Sequence, residues 1–424
     1  MSGRRGKSII FVSFHFPPIQ ASSGVLRILS FVKYFAAKGW AVTVVTARAF
    51  AYDDVNPRNI EAIPSKVTVR RAWSLNTRKH LSFRGRYPGL LAIPDNWVTW
   101  IPFAYVATAI RIVANRPSAV VTTYPIASCH VVGWLVKLTF GIPWIVDFRD
   151  PMLQDNYPRG RALRWAYATI ERHAVERADM IVVTTPGTKR LMLHRYPELV
   201  PRLRVIENGV DLDIFEQAKG QSETQTVPLS ERAILLHSGI VYPSERDPTN
   251  LFLALARAKS EGIISGQSFE LRLRGCRHEQ MFGDEIRSLN IGDLVSILPP
   301  MSYEEAAKEI LGADALLVLQ AANCDDQVPA KVYEYLFANK PILGLTNPAG
   351  DTGAVLQTAG IEDMARLEDR EAVYRVFVSF VLKYFSPERL RLLREPGRGL
   401  GSKEHSREGR AQELESSIVA LLGS

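Results

Sequence analysis

The chain has 424 residues, of which 46% are hydrophobic and 23% are charged, as is ordinary for a globular protein. At roughly 100–200 residues per domain, this length predicts two domains. No run of about 18 apolar residues lacks a charge, which excludes a membrane-spanning helix, and the apolar run near the start is too short for a signal peptide. Cys129, Cys276 and Cys324 are odd in number and far apart, so a reducing cytosol fits better than a secreted disulfide scaffold.

The formal net charge is +8, and the positive charge is concentrated between residues 58 and 90, where Glu61 is the only acidic residue. The basic residues of this block are Arg58, Lys66, Arg70, Arg71, Arg78, Lys79, Arg84 and Arg86. Such a block suits an anionic partner, namely an acidic membrane surface, a lipid-linked phosphate or a nucleic acid. No aromatic-interleaved recognition signature accompanies it, so a nucleic acid is not expected, and the alternative is a solvated loop.

Strand-like apolar runs alternate with helix-like segments through the first half of the chain. The expected strands are 9–14, 41–46, 67–72, 119–123, 144–147, 180–184 and 204–207. Between the first two, residues 24–37 carry apolar side chains at helical spacing and end at Gly39. This alternation predicts a parallel, doubly wound sheet.

A polar segment at 216–228 interrupts the pattern and is interpreted as a linker between domains. The alternation then resumes with strands at 233–238, 269–274, 294–298, 315–319 and 341–343, and with helices at 250–260, 303–312, 331–338, 370–384 and 404–422. We therefore predict an α/β protein with two facing Rossmann-like domains and a ligand cleft between them. The predicted domains are 1–215 and 229–385, followed by a helical tail at 386–424 that packs back on the N-terminal domain.

Charged residues at the ends of the first-half strands are candidates for binding an acceptor. Asp147, Arg149 and Asp150 close a buried strand at its carboxyl edge, where open α/β sheets bind ligands. The alternative is a local Arg–Asp pair that holds the loop. His130 opens an apolar helix, where a structural histidine is the more ordinary interpretation. Gly24, in the loop after the first strand, allows a ligand to approach the start of a helix.

The second half offers a candidate anion site. Lys331 and Glu334 lie one turn apart near a predicted helix start, which favours anions, although an i,i+3 ion pair on a surface helix explains the spacing equally well. Gly239 follows a strand and precedes Arg246, which could clamp a phosphate, or could pair with an acid in its own loop. Gly275 makes room at the end of the next strand. The turn-rich loop 347–353 could add backbone amides.

Taken in order, these segments resemble glycosyltransferase family 4, whose fold is GT-B. The motifs that carry the resemblance are FPP at 16–18, GVLR at 24–27, IPWIVDFRDP at 142–151, ENGVD at 207–211, PAKVYEY at 329–335 and KP at 340–341. The resemblance covers the chain from about residue 9 to about residue 420 and implies a GT-B arrangement of the two domains.

The resemblance also implies an activity and a set of roles. Members transfer a sugar from a nucleotide diphosphate donor with retention of configuration, generally without a bound metal, so no metal or other cofactor is expected. Glu334 would bind the ribose hydroxyls, Asp326 would approach the donor sugar, and Arg246 would bind phosphate. The family's second cation is missing from its usual place, and Lys331 is inferred to replace it. The loop at Gly24 would face the diphosphate.

We thus expect a cytoplasmic glycosyltransferase at the inner face of the membrane. Its acceptor would be a lipid-linked glycan precursor of a surface polysaccharide such as lipopolysaccharide, and the basic block would touch anionic lipid or the acceptor phosphate. The alternatives are an epimerase or phosphorylase of the same fold, a nicotinamide-dependent dehydrogenase, and a non-catalytic nucleotide-sugar-binding protein. The absence of a G-x-G-x-x-G fingerprint argues against the dehydrogenase.

Overall fold

The computed structural model describes residues 7–20, 23–84, 86–154, 157–223, 232–276, 278–395 and 400–423. The chain divides into two compact units, which we call unit 1 (Met1–Glu207 with Arg407–Ser424) and unit 2 (Asn208–Ser406). The boundary therefore falls after Glu207 rather than at residue 215, and the C-terminal helix belongs to unit 1.

Unit 1 contains a seven-stranded sheet in the order β3-β2-β1-β4-β5-β6-β7, in which every neighbouring pair is parallel. The strands are β1 (Ser8–Val12), β2 (Ala41–Ala47), β3 (Thr68–Ala72), β4 (Ala119–Thr123), β5 (Trp144–Arg149), β6 (Met180–Val183) and β7 (Leu203–Val205). The strand order reverses between β1 and β4, and the carboxyl ends of strands at such a switch point are where open α/β sheets bind ligands.

The helices of unit 1 cover both faces of this sheet. Besides the C-terminal helix, they are α1 (Ser23–Ala37), α2 (Thr77–His80), α3 (Trp100–Ala114), α4 (Ser128–Phe140), α5 (Arg161–Arg177) and α6 (Pro186–Arg195). One face packs against α1, where Phe31 and Phe35 are buried at helical spacing beside Phe11 of β1. The other face packs against α3 and α4. Burial on both faces explains why the strands are nearly continuous apolar runs.

Unit 2 contains a six-stranded parallel sheet in the order β10-β9-β8-β11-β12-β13. The strands are β8 (Ala233–Ser238), β9 (Phe269–Arg274), β10 (Val295–Leu298), β11 (Ala315–Leu319), β12 (Ile342–Leu345) and β13 (Met364–Ala365). Here the order reverses between β8 and β11, so the loops that follow these two strands flank the switch point of unit 2.

Within the described residues, the remaining helices include the five expected ones close to their predicted positions, together with four others. They are α7 (Leu212–Glu223), α8 (Thr249–Ser260), α9 (Glu279–Ser288), α10 (Tyr303–Gly312), α11 (Ala330–Ala338), α12 (Asp351–Thr358), α13 (Arg370–Tyr384), α14 (Pro387–Leu393) and α15 (Arg407–Gly423). Ser302 and Glu305 form a capping box that fixes the start of α10.

The predicted linker differs from the structure. Residues 216–223 form the end of α7, and residues 224–228 lie outside the described residues. The segment is polar, but Phe215 and Ala218 are buried beside Ile310 of α10 and Phe337 of α11. Two apolar side chains one turn apart are enough to hold the helix against the core, and composition alone does not reveal them.

The predicted helical tail also divides between the two units. Arg394, just after α14, makes an ion pair with Asp314 of unit 2, at 2.6 Å between Nε and Oδ1. Helix α15 instead packs on α1 of unit 1, where Leu414 and Ile418 are fully buried. Glu415 accepts hydrogen bonds there from Trp40 Nε1 at 2.7 Å and from the Tyr34 hydroxyl at 3.0 Å.

Candidate functional site

Lys331 and Glu334 form a largely buried ion pair on α11. Glu334 is 2% exposed, its Oε2 lies 3.1 Å from Lys331 Nζ, and its Oε1 accepts a hydrogen bond from the Tyr303 hydroxyl at 3.0 Å. A buried carboxylate is costly unless charges and hydrogen bonds compensate it, and these contacts do so. The spacing in the sequence therefore reflects a real contact, although the carboxylate is inside unit 2 and not on a solvated face.

His237, which the sequence did not suggest, lies at the end of β8 beside this pair. Its Nδ1 is 2.9 Å from the Leu317 carbonyl oxygen, which can only accept a hydrogen bond, so Nδ1 carries the proton. Burial, against the opposing hydrogen bond to Leu317 and together with the charges of Arg246 and Lys331, lowers the pKa of His237 to about 4. The ring is therefore neutral near pH 7. Its Nε2 is an acceptor that is buried and has no hydrogen-bond partner among the described residues.

Gly239 lies next to His237, and Gly275 lies next to Gly239. A Cβ atom on Gly239 would lie 3.5 Å from His237 Nε2 and 4.0 Å from Lys331 Cγ. Gly275 has a φ of +80°, and a Cβ there would lie 3.8 Å from the Gly239 carbonyl oxygen. Their amides already donate to Arg274 O and Leu298 O, so these glycines offer a ligand room rather than hydrogen bonds. We call the group formed by Gly239, Gly275, His237, Arg246 and Lys331 the β8 cluster.

Arg246 contributes a second cation to the β8 cluster. Its Nη1 donates to the Ile240 carbonyl at 2.9 Å, and its guanidinium carbon lies 5.2 Å from the Tyr242 ring centroid. No ion pair of Arg246 occurs in the part of the chain that the structure describes. Its neighbour Asp247 accepts from the amide and hydroxyl of Thr249 at the start of α8, so the local pair considered from the sequence does not form. The guanidinium can therefore neutralise an anion.

Asp326 lies in the segment after β11, which is held firmly in place. The Gln320 side chain donates to the carbonyls of Cys324 at 2.8 Å and Gln327 at 3.0 Å and accepts from Thr346 Oγ1 at 3.1 Å. Asp326 is half-buried in this braced loop. Its contact with a donor sugar stays a prediction.

Three of the backbone amides that the loop 347–353 was expected to offer already have acceptors within the fold. The amide of Ala349 donates to Asn347 Oδ1 at 3.1 Å, and the amide of Asp351 donates to the Asp325 carbonyl at 2.8 Å. The amide of Gly350 donates to the Asn347 carbonyl at 3.0 Å. These hydrogen bonds tie the start of α12 to the loop after β11, so the amides are already used by the fold.

In unit 1, the Asp147 carboxylate is part of a buried ion pair, which accounts for its charge at the end of an apolar strand without a ligand. Its carboxylate accepts from Arg27 Nε at 3.3 Å, from Arg27 Nη2 at 3.2 Å and from Thr123 Oγ1 at 3.0 Å. Arg27 also donates to the carbonyls of Ile206 and Glu207 at 2.9 and 2.7 Å. The pair cross-links α1, β5 and the segment after β7. Asp147 is 2% exposed, which corrects the expectation that it reaches an acceptor.

His130 is likewise part of the core. It is fully buried, its Nδ1 lies 2.9 Å from Thr122 Oγ1, and its ring stacks on Tyr124 at 6.4 Å between centroids. Burial lowers its pKa to about 3. The structural interpretation of this histidine therefore explains its position, and direct contact with an acceptor would require the core to open.

Arg149 and Gly24, by contrast, meet at the switch point of unit 1. Arg149 has a φ of +62°, a conformation that is uncommon for a non-glycine residue and recurs at functional sites. A Cβ on Gly24 would lie 2.3 Å from Arg149 Nη1, so only glycine allows the guanidinium to lie there. Burial and the Arg149 charge lower the pKa of nearby His15 to about 4. Asp150 follows, half-buried, with its amide 2.7 Å from the Phe148 carbonyl oxygen.

Comparison with known proteins defines the class to which this arrangement belongs. Anabaena HepE, solved in complex with UDP, matches with a TM-score of 0.66 at 11% identity, covering 97% of this chain and 100% of that one. The two parallel, Rossmann-like sheets are those of the GT-B fold, as the sequence predicted.

The family follows from sequence similarity. Residues 24–209 match the glycosyl transferase 4-like domain. The D-inositol 3-phosphate glycosyltransferase of Streptosporangium roseum is 26% identical over 205 residues, 44% of this chain and 45% of that protein. Its counterpart in Nocardioides sp. is 23% identical over 353 residues, 74% of this chain and 69% of that protein. The chain thus matches less than half the length of the first relative. These matches support a GT4-type glycosyltransferase, as the resemblance in the sequence implied.

Within the described ranges, no group of three or more His, Cys, Asp or Glu side chains is placed to hold a metal ion. In the same part of the chain, no helix combines the length and apolar character needed to cross a membrane.

Proposed function

We propose that the protein transfers a sugar, with retention of configuration, from a nucleotide diphosphate donor that binds at the β8 cluster of unit 2. The observation that carries the proposal is the combination of two cations, Arg246 and Lys331, with two glycines at a switch point. Both charges lower the pKa of His237, so both cations lie in the surroundings of its ring. The UDP complex of HepE, a protein of the same fold, supports a nucleotide diphosphate as the ligand.

The chemistry of the leaving group fits these residues. Breaking the glycosidic bond leaves negative charge on the diphosphate, and fixed cations stabilise it without reorganisation, so the transfer does not require a metal. Removing one such cation costs roughly 10²–10³ in rate, or about 3–4 kcal/mol. Lys331 has three donor hydrogens, so it can contact a phosphate oxygen while remaining near Glu334.

Glu334 is proposed to bind the ribose. Its carboxylate has about four acceptor positions, so it can accept from a ribose hydroxyl while keeping the Tyr303 hydroxyl as a donor. Tyr303 and Lys331 fix the orientation of the carboxylate before the donor arrives, which reduces the cost of ordering it. Asp326 is proposed to lie near the donor sugar.

The acceptor is proposed to be a glycan or lipid-linked precursor of a surface polysaccharide, used at the cytoplasmic face of a membrane. Arg149 and Asp150 are the candidate contacts in unit 1, because Arg149 ends β5 at the carboxyl edge of its sheet and Asp150 follows it. Anionic lipid is the proposed surface partner, because eight basic residues lie between residues 58 and 90 against a single acid.

One alternative has a specific observation in its favour. Glu334 is already paired with Lys331, which would suit a protein that binds a nucleotide sugar without transferring it, or an epimerase that needs no acceptor. The three classes differ in outcome: a binding protein leaves the donor intact, an epimerase alters it without an acceptor, and a transferase releases the nucleoside diphosphate in proportion to acceptor.

Thermal-shift measurements with UDP, GDP, CDP, ADP and their sugars test the donor site. One nucleotide should raise the melting temperature selectively, because a ligand of the native state stabilises it by mass action. Glu334→Ala should abolish that increase. A suitable control is Lys259→Ala, which breaks an exposed lysine–acid pair elsewhere in unit 2. Absence of any shift with every nucleotide, or a shift that Glu334→Ala leaves intact, contradicts the proposal.

A further inference from the structure

Helix α3 of unit 1 is apolar on the side that faces solvent. Phe103, Val106, Ile110 and Val113 recur every three or four residues and are 46%, 52%, 61% and 78% exposed. The opposite side is also apolar and lies in the core, through Trp100, Ala104 and Ile112. A helix at the surface of a globular protein ordinarily has a polar outer face. Contiguous exposed apolar residues instead mark an interaction surface.

Aromatic contacts extend this stripe beyond the helix. Phe103 meets Trp73 at 5.1 Å between ring centroids, Trp73 meets Phe50 at 6.4 Å, and Phe50 meets His80 of α2 at 6.0 Å. A groove of about 500 Å³ lies between α3 and the end of β3, lined by Arg48, Trp73, Phe103, Val106 and Ile110 among others. We call Phe50, Trp73 and the four stripe residues the α3 surface.

A second exposed apolar segment adjoins α2. The Thr77 hydroxyl donates to the Leu91 carbonyl in the short helix Gly89–Ala92. In that segment Leu90 is 82% exposed, and Phe83 is 78% exposed in the loop before it. The Arg84 guanidinium lies 5.7 Å from the Phe83 ring centroid. Bulky apolar side chains therefore project next to arginines.

The charge around these apolar residues is mainly positive, although the Asp53 carboxylate accepts a hydrogen bond from Asn76, the residue that caps α2. Arg48 lines the groove, Arg78 and Lys79 lie on α2, and Arg84 and Arg86 flank the exposed Phe83. None of the groove's lining residues is acidic, and α3 contains none. Aromatic and aliphatic side chains beside a cationic rim match the boundary between acyl chains and anionic headgroups.

We propose that the α3 surface docks unit 1 onto an anionic lipid bilayer, with the stripe entering the headgroup boundary and the basic side chains contacting lipid phosphates. The helix lies along the bilayer plane and does not cross it. This inference deepens the membrane part of the proposed function and does not depend on the donor site. The partner is the bilayer itself, recognised by its charge and by its apolar interior.

Co-sedimentation of the full chain tests the docking. The vesicles are phosphatidylcholine alone, or phosphatidylcholine with phosphatidylglycerol, at low and high salt. The wild-type chain should bind the anionic vesicles and bind more weakly at high salt, because the charges are screened. The triple variant Val106→Gln, Ile110→Gln, Val113→Gln should bind roughly tenfold more weakly while keeping its melting temperature, because exposed positions contribute little to folding.

Matched controls separate the outcomes. Leu382 and Leu392 are 68% and 49% exposed in unit 2, so Leu382→Gln with Leu392→Gln removes comparable apolar surface elsewhere and should bind like the wild type. Equal binding by the triple variant, or no binding by the wild type, overturns the proposal. Light scattering tests the other occupant of the surface. If the wild-type chain is a dimer and the triple variant is a monomer, a second copy of the chain covers the α3 surface, and the proposal is overturned.

A labelled variant reports the depth of the docked helix. The three native cysteines are buried, so Val113→Cys carries a polarity-sensitive dye at an exposed position. A blue shift on adding anionic vesicles is expected, and an unchanged spectrum under conditions of full sedimentation contradicts insertion. Nucleotide-induced stabilisation measured on the same preparation shows whether the donor site is intact, so failure of docking is distinguishable from failure of the proposed reaction.

Discussion

Breaking the Arg27–Asp147 pair should destabilise unit 1 strongly. The two side chains are 4% and 2% exposed, so Asp147→Leu leaves the Arg27 charge buried without its acid. Removing one partner of a buried pair costs about 3–5 kcal/mol. Arg27 would keep its two carbonyl acceptors, Ile206 and Glu207, which places the expected cost near the lower end, about 3 kcal/mol.

Thermal unfolding measures this cost. For 150–250 residues, 1 kcal/mol changes the melting temperature by about 2–4 °C, so Asp147→Leu should lower the transition of unit 1 by roughly 6–12 °C. Arg27→Met should cost about as much, because it leaves the carboxylate buried alone. The double variant should be more stable than the sum of the single changes predicts, because no charge is then left unpaired. A melting temperature unchanged by Asp147→Leu, with loss of transfer, would refute the structural role and restore Asp147 as an acceptor contact.

Three further predictions follow from other contacts. Leu414→Ala should lower the stability of unit 1 by about 2–5 kcal/mol, seen in denaturant unfolding, because α15 loses a fully buried side chain; a change confined to unit 2 would contradict the packing. Gly24→Ala should slow transfer while changing stability by less than about 1 kcal/mol, because the new methyl displaces only the flexible end of Arg149; normal turnover would contradict the role of that guanidinium. Lowering the pH from 6.5 to 4 should destabilise unit 2 by up to about 3 kcal/mol through His237, which protonates when unfolded but stays neutral when folded, and His237→Asn should flatten that dependence.

Local patterns in the sequence predicted much of the fold and one contact of the site. The β-α-β alternation depends on residues near one another in the chain, and the strands and helices lie close to their predicted positions. Lys331 and Glu334 are three residues apart on one helix, so helical geometry alone brings them together.

The remaining contacts join residues that are distant in sequence. Arg27 meets Asp147 across 120 residues, and Tyr303 meets Glu334 across 31. The sequence showed that Asp147 ends a buried strand, but the residue that neutralises it depends on how α1 packs against the sheet. His237 belongs to no recognisable sequence motif. Its neutral state and the position of its proton depend on the hydrogen bond between Nδ1 and the Leu317 carbonyl oxygen, which the sequence does not reveal.

The α3 surface could not be predicted from the sequence for a different reason. Its exposed residues and its buried residues are both apolar, so hydrophobic periodicity does not separate the two faces of the helix. The basic block could be recognised from the composition of residues 58–90. The apolar surface beside it could be recognised only from the structure, which brings Trp73 into contact with Phe103.

Calorimetric titration of the nucleotide selected by thermal shift most directly tests the β8 cluster as the donor site. Arg246→Ala and Lys331→Ala should each weaken binding by roughly tenfold or more, because each removes a charge-assisted contact to phosphate. Lys259→Ala should bind like the wild type, because its pair with Asp293 is an exposed contact elsewhere in unit 2. Equal affinity in all four proteins would show that the diphosphate binds elsewhere and would contradict the proposed function.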